Sequence, residues 1–266
     1  MKLETFRRRH RVRSLRAANL TWRVIETRDA GKTAPVLVML PGTLGTAEIF
    51  WNQIMALKRR VRIVSITYPE IGDIKRLADG VVALLDRLGI EKASFVGSSL
   101  GGFLGQWIAA RHPERVERLI IGNSLIDPRK TNPSRLKPAL LRRLPGKVHR
   151  RIVVGSVETW PEPEPVFTEL KTILRHSGTR LLSARAIKAR VLAVAASKPV
   201  PTIKLPASRI VIIDSADDPL IPAATRAAMR KKYPGAKNHR FKIGGHYPYI
   251  TRPKQYTDVL KRYVLG

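Results

Sequence analysis

The sequence predicts an α/β protein, a mostly parallel central sheet flanked by helices with a helical cap insertion, and three observations predict it. Apolar runs of strand length alternate with longer amphipathic stretches, the pattern of a parallel sheet covered by helices. Each apolar run stops at a turn signal. The alternation then breaks once, from about Asp127 to Ala207, where several Pro and helical patterns follow one another without intervening strands. The expected organisation is a core of residues 1–126 and 208–266 interrupted by a cap of residues 127–207.

Taken in order, Leu20 to Thr27 reads as a strand, and the basic segment Met1 to Arg16 before it, punctuated by Phe6, Val12 and Leu15, reads as an edge hairpin in preference to an organellar presequence. Val36 to Leu40 is a short apolar strand ending at Pro41-Gly42, Val61 to Thr67 a second ending at Tyr68-Pro69, and Ala93 to Val96 a third ending at Gly97. Asp73 to Leu88 carries Ile74, Leu77, Val81, Leu84, Leu85 and Leu88 at spacings of three and four, which makes it an amphipathic helix. Arg118 to Gly122 and Arg209 to Ile213 are further strands, and Phe241 to Ile243 is the candidate for a sixth in this series.

Composition excludes several classes of function. With no Cys among 266 residues there is no disulfide framework, thiolate metal site or Cys nucleophile. No apolar run reaches the 18 residues of a membrane span and no secretory h-region opens the chain, so it reads as a cytoplasmic protein without a transmembrane segment. Neither a metal-ligand cluster nor a Gly-rich phosphate loop ending in Lys-Ser/Thr is present, and the expected chemistry needs no cofactor. The net charge of +30 comes from 50 Lys+Arg against 20 Asp+Glu. Residues 128 to 209 hold 18 Lys+Arg and 4 Glu, an excess of +14. Because the basic residues are spread from end to end without an aromatic-rich module, they read as a solvated surface and not as a nucleic-acid site. The basic cap is compatible with an anionic acyl substrate.

The residues that could do chemistry begin at Gly97-Ser98-Ser99-Leu100-Gly101. A Gly-x-Ser-x-Gly match has little force alone, but here a strand precedes it and a helix from Phe103 to Arg111 follows. A sharp strand-to-helix turn of this kind lifts the hydroxyl of Ser99 above the sheet at a helix N-terminus, where developing negative charge is favoured. Ser98 would put the flanking glycines out of place. A serine hydroxyl needs a base, and in a fold of this type an acid and then a histidine follow the nucleophile. Asp218, in Asp-Pro-Leu-Ile-Pro, and His246, in Gly244-Gly245-His246, supply both in that order. Asp217 is the alternative acid, and Asp214 reads as a strand-end carboxylate. Of the other histidines, His10, His149, His176 and His239 are expected to be exposed and His112 to cap a helix. The N–H of Leu100 and that of Thr43, with Leu44 the alternative to Thr43, are the expected oxyanion donors.

Four stretches carry a resemblance to a specific branch of the α/β-hydrolases. They are Leu40-Pro-Gly-Thr-Leu-Gly-Thr-Ala-Glu-Ile-Phe50, Gly97-Ser-Ser-Leu-Gly-Gly-Phe-Leu104, Leu119-Ile-Ile-Gly-Asn-Ser124 and Gly244-Gly-His-Tyr-Pro-Tyr249, joined by Phe6-Arg-Arg-Arg-His10. In these the chain resembles the maspardin family. The resemblance implies the α/β-hydrolase fold with a cap, and it implies a binding or trafficking role in place of catalysis. The family's pattern has Asn where this chain has His246, and that departure favours an enzyme. Two functions are therefore expected to compete. The leading one is a serine hydrolase acting on an ester, thioester or similar small acyl compound through Ser99, His246 and Asp218. The other is a non-catalytic protein that binds a protein partner on the same scaffold.

Overall fold

The runs rich in Val, Ile and Leu form the expected sheet, and the computed structural model describes it over residues 3–131 and 138–266. Strands β1 (Arg13–Ala17) and β2 (Leu20–Thr27) form the edge hairpin, preceded by a short helix α1 (Leu3–Arg9) that anchors the chain through buried Phe6. The hairpin expectation holds from Arg13 onward; Leu3–Arg9 is helical instead, and its two apolar residues, Leu3 and Phe6, three apart on one face, pack against the core. Then follow β3 (Val36–Leu40), α2 (Trp51–Leu57), β4 (Arg62–Thr67), α3 (Ile74–Arg87), β5 (Ala93–Ser98), α4 (Leu100–Arg111) and β6 (Val116–Gly122). Asp73 caps α3, its carboxylate accepting from the N–H groups of Lys75 and Arg76.

Between β6 and β7 (Ile210–Ser215) the described residues are helical: α5 (Pro128–Thr131), α6 (Pro138–Arg143), α7 (Gly146–Glu158), α8 (Pro165–His176) and α9 (Ala184–Ala195). The chain closes with α10 (Ala223–Lys232), β8 (Lys237–Phe241), α11 (Pro248–Thr251) and α12 (Pro253–Val264). The final strand is Lys237–Phe241 and not Phe241 to Ile243; the polar sequence Lys-Asn-His-Arg-Phe hid it, since an edge strand needs few apolar residues.

The eight strands lie in the order β1-β2-β4-β3-β5-β6-β7-β8. β2 pairs antiparallel with β1 and β4, and every later pairing is parallel. One face of the sheet buries Leu84, Phe103 and Trp107 of α3 and α4, and the other buries Ile54, Tyr256 and Leu260 of α2 and α12. β5 is buried along its whole length at the centre, so the turn that follows it is set by neighbours on both sides. No helix among the described residues is long and apolar enough to cross a membrane.

Candidate active site

The turn after β5 is sharp because its glycines let backbone meet backbone. A Cβ on Gly97 would lie 2.2 Å from the carbonyl oxygen of Gly101, and one on Gly101 would lie 1.8 Å from that of Leu40. Ser99 sits between them with φ 55° and ψ −117°, a left-handed conformation that a non-glycine residue adopts only under constraint. The constraint is visible: the Ser99 N–H donates to the Gly122 carbonyl at 2.9 Å, and its own carbonyl accepts from the Phe103 N–H and from Ser124 Oγ at 2.7 Å. Helix α4 begins at Leu100, one turn earlier than the apolar pattern suggested. Ser98 is buried, whereas Ser99 is half-buried and lines a cavity of about 550 Å³ beneath the cap.

The turn after β8 brings His246 to the same cavity. Its Nδ1 lies 2.9 Å from Asp218 Oδ2 and 3.0 Å from Oδ1. A carboxylate only accepts, so Nδ1 carries a proton, and in the neutral form of the ring the lone pair is on Nε2. Asp218 is held in turn by Asn123 Nδ2 at 2.8 Å and by the N–H groups of Leu220 and Ile221 at 2.8 and 3.1 Å. Burial alone would raise its carboxyl pKa, but attraction to His246 and the hydrogen bonds from His246, Asn123 and the Leu220 N–H outweigh it, so the group stays below the usual carboxylate range. Asp217 instead accepts from the N–H groups of Gly244 and Gly245, both at 2.9 Å, and so shapes the turn that carries His246. Asp214 is taken by Arg230 and Arg240.

On the opposite side of Ser99 runs the loop from Pro41 to Gly45. A Cβ on Gly42 would be 3.4 Å from that of Ser99, which puts the loop against the elbow. Thr43, Leu44 and Leu100 line the cavity with Ser99. Among the described residues neither the Thr43 N–H nor the Leu44 N–H meets an acceptor. Asn123 and Ser124, which hold Asp218 and the Ser99 peptide, carry no motif of their own; Gly122-Asn123-Ser124 directly after a strand was the available signal, and Asn123, at φ 39°, makes the turn there.

The rest of the cavity belongs mostly to the cap and is apolar, with Leu141, Ile152, Val153 and Val194 on its wall. Among the described residues no Lys or Arg lines it, which lends no support to the expected anionic acyl group. Arg142, Arg143, Lys147 and Arg151 are exposed on the outer surface instead. His149 also departs from expectation: 2% exposed, it lines the cavity, with Nδ1 3.2 Å from the Pro145 carbonyl. His10 and His239 are half-buried, His176 is exposed, and His112 ends α4 beside Asp79. Among the described residues no group of His, Asp and Glu is arranged to hold a metal ion.

A strained serine elbow after the central strand, with an acid and a histidine in the turns after later strands, defines a class, and the family model for the alpha/beta hydrolase family matches residues 37–259. The chain belongs to that family. Within it the chain is similar to maspardin, at 29% identity to the human protein and 28% to that of Danio rerio, each alignment covering 81% of this chain and 70% of the relative. It is also 26% identical to the putative carbamate hydrolase RutD of Caulobacter vibrioides over 86% of this chain and 90% of that protein. The enol-lactonase of Burkholderia xenovorans LB400 has the same fold, with a TM-score of 0.79 and 19% identity over 96% of this chain and all of its own.

Proposed function

We propose that the protein is a serine hydrolase that cleaves a small, uncharged acyl compound, an ester or thioester, through Ser99, His246 and Asp218. The observation that carries this reading is that His246, paired with buried Asp218, stands on the wall of the cavity that Ser99 also lines. Ser99 Oγ adds to the acyl carbon while its proton passes to His246 Nε2, the lone-pair nitrogen. The former carbonyl oxygen takes up the negative charge facing the N–H groups of Leu100 and Thr43. Collapse of this adduct expels the alcohol or thiol, which receives the proton from His246 and leaves an acyl group on Ser99. Water then adds to the acyl carbon and gives a proton to His246, and collapse of this second adduct breaks the bond to Ser99 Oγ, which takes the proton back from His246 as the acid leaves. Asp218 keeps the imidazole in one tautomer and stabilises its charged form.

The apolar wall favours an acyl group without charge, since a carboxylate there would lose its hydration with no Lys or Arg among the described lining residues to replace it. Hydrolysis of p-nitrophenyl butyrate, compared with the monoester of a dicarboxylic acid of similar length, tests both points. Turnover that favours the neutral ester by at least about tenfold and disappears in Ser99→Ala is expected. A folded wild type without turnover on either ester would return the chain to the partner-binding reading.

A further inference from the structure

Arg190, on cap helix α9, is 1% exposed, and among the described residues no Asp or Glu forms an ion pair with it. Its Nη1 donates to two carbonyls of the loop beside Ser99, those of Thr43 at 2.9 Å and Gly45 at 2.6 Å, and its guanidinium stands 5.2 Å from the centre of the Tyr68 ring. Nε and Nη2 have no partner among the described residues. A buried cation without a counter-ion detracts from stability, and an apolar side chain of similar size would pack there at less cost. Burial, opposed by Tyr68 and Tyr247, pushes its pKa down to about 10. Stability therefore does not explain the residue.

The loop explains it. Every carbonyl from Pro41 to Gly45 is held. Tyr68 Oη donates to that of Pro41 at 2.8 Å, and the Gly45 N–H to that of Gly42 at 3.0 Å. Arg190 takes those of Thr43 and Gly45, and Ser177 Oγ, also in the cap, donates to that of Leu44 at 2.5 Å. In a trans peptide the N–H points away from the C=O. The carbonyl of Gly42 shares its peptide with the N–H of Thr43, and that of Thr43 shares its peptide with the N–H of Leu44. The Gly45 N–H therefore sets the direction of the first and Arg190 that of the second, while both N–H groups have no acceptor among the described residues.

We propose that Arg190 is a positioning residue for the oxyanion loop, holding the Thr43–Leu44 peptide and the Gly45 carbonyl from the cap side so that the loop's N–H directions are set before substrate arrives. Ser177 is its lesser partner, holding the Leu44–Gly45 peptide, whose N–H in turn fixes the Gly42 carbonyl. The proposal rests on the serine hydrolase reading. It also makes the cap part of the reaction centre: a cap displaced from the core would release the loop. Preorganised donors matter because they meet charge that exists only in the transition state, and loss of one such donor lowers kcat by about 10²–10³-fold.

Arg190→Met, Arg190→Lys and Ser177→Ala test it on p-nitrophenyl butyrate, with Tm measured for each. Arg190→Met is expected to lower kcat about 10- to 100-fold, to leave KM within about threefold, and to keep or raise Tm. Arg190→Lys is expected to recover part of the loss, because one ammonium reaches fewer acceptors in that geometry, and Ser177→Ala to lower kcat about threefold. A kcat within twofold of wild type in both Arg190→Met and Ser177→Ala, or a loss confined to KM, overturns the proposal; should Arg190→Met not fold, Ser177→Ala alone decides. An inactive wild type that also fails to react with a fluorophosphonate overturns the serine hydrolase reading and this proposal with it, whereas active wild type with equally active variants overturns this proposal only.

Discussion

The core and the cap bring their residues to the cavity by different means. The core delivers Ser99, Asp218 and His246 on short turns at the C-terminal ends of β5, β7 and β8, where neighbouring strands leave the backbone little choice. The cap delivers an apolar wall and the two loop anchors, Arg190 and Ser177, from helices whose outer surface is strongly basic. The difference teaches that a local rule can locate the chemistry, while recognition depends on how separate helices pack.

The largest expected effect lies in the core. Ser99→Ala and His246→Ala should each lower kcat by at least about 10⁴-fold, read as ester hydrolysis at saturating substrate, while circular dichroism stays unchanged. Asp218→Asn should cost about 10³–10⁴-fold, because it disturbs the His246 tautomer, and Asp217→Asn only about tenfold, because it loosens the turn and not the ring. Equal losses for the two aspartates would dissolve the division of labour between them.

A second contrast separates the glycines. Gly101→Ala drives a Cβ into the Leu40 carbonyl and is expected to cost more than about 3 kcal/mol, seen as a lowered urea midpoint or loss of soluble protein. Gly155→Ala, in α7 of the cap with nothing within 4 Å, is expected to stabilise by about 0.5–1 kcal/mol in the same assay. A stable Gly101→Ala would contradict the close approach of elbow and loop.

Alkaline pH should weaken the whole fold gradually. Burial raises the pKa of Tyr68, Tyr233, Tyr247, Tyr249 and Tyr256. A phenol raised in the folded state contributes stability that is complete below its unfolded value of about 10 and is lost as pH rises above it. Arg190, lowered to about 10, acts in the opposite direction over the interval up to its unfolded value, one group against five. A denaturation midpoint that falls above pH ~10 is expected; a flat profile to pH 11 would contradict the burial of these rings.

How much of this was legible in the sequence follows the same division. The strands near the elbow, the amphipathic α3, the Gly97 to Gly101 turn and the order Ser99, Asp218, His246 could be read because each obeys a local rule of spacing or backbone space. Asp218 was the first choice for the acid, but Asp217 stayed open beside it, since adjacent carboxylates differ only in where the turn points them. β8 was misplaced because its residues are polar. Arg190 and His149 looked like members of a solvated basic helix; their burial is created by the packing of α7 and α9 over the core, more than a hundred residues away from the Pro41–Gly45 loop in the case of Arg190.

The most direct test of the central claim, that Ser99 is an activated nucleophile, is mass spectrometry of the protein after treatment with a fluorophosphonate. A single adduct on the peptide containing Ser99, formed at least about 10²-fold more slowly in His246→Ala and absent in Ser99→Ala, is the expected result. A folded protein left unlabelled, or labelling that persists in Ser99→Ala, would contradict it.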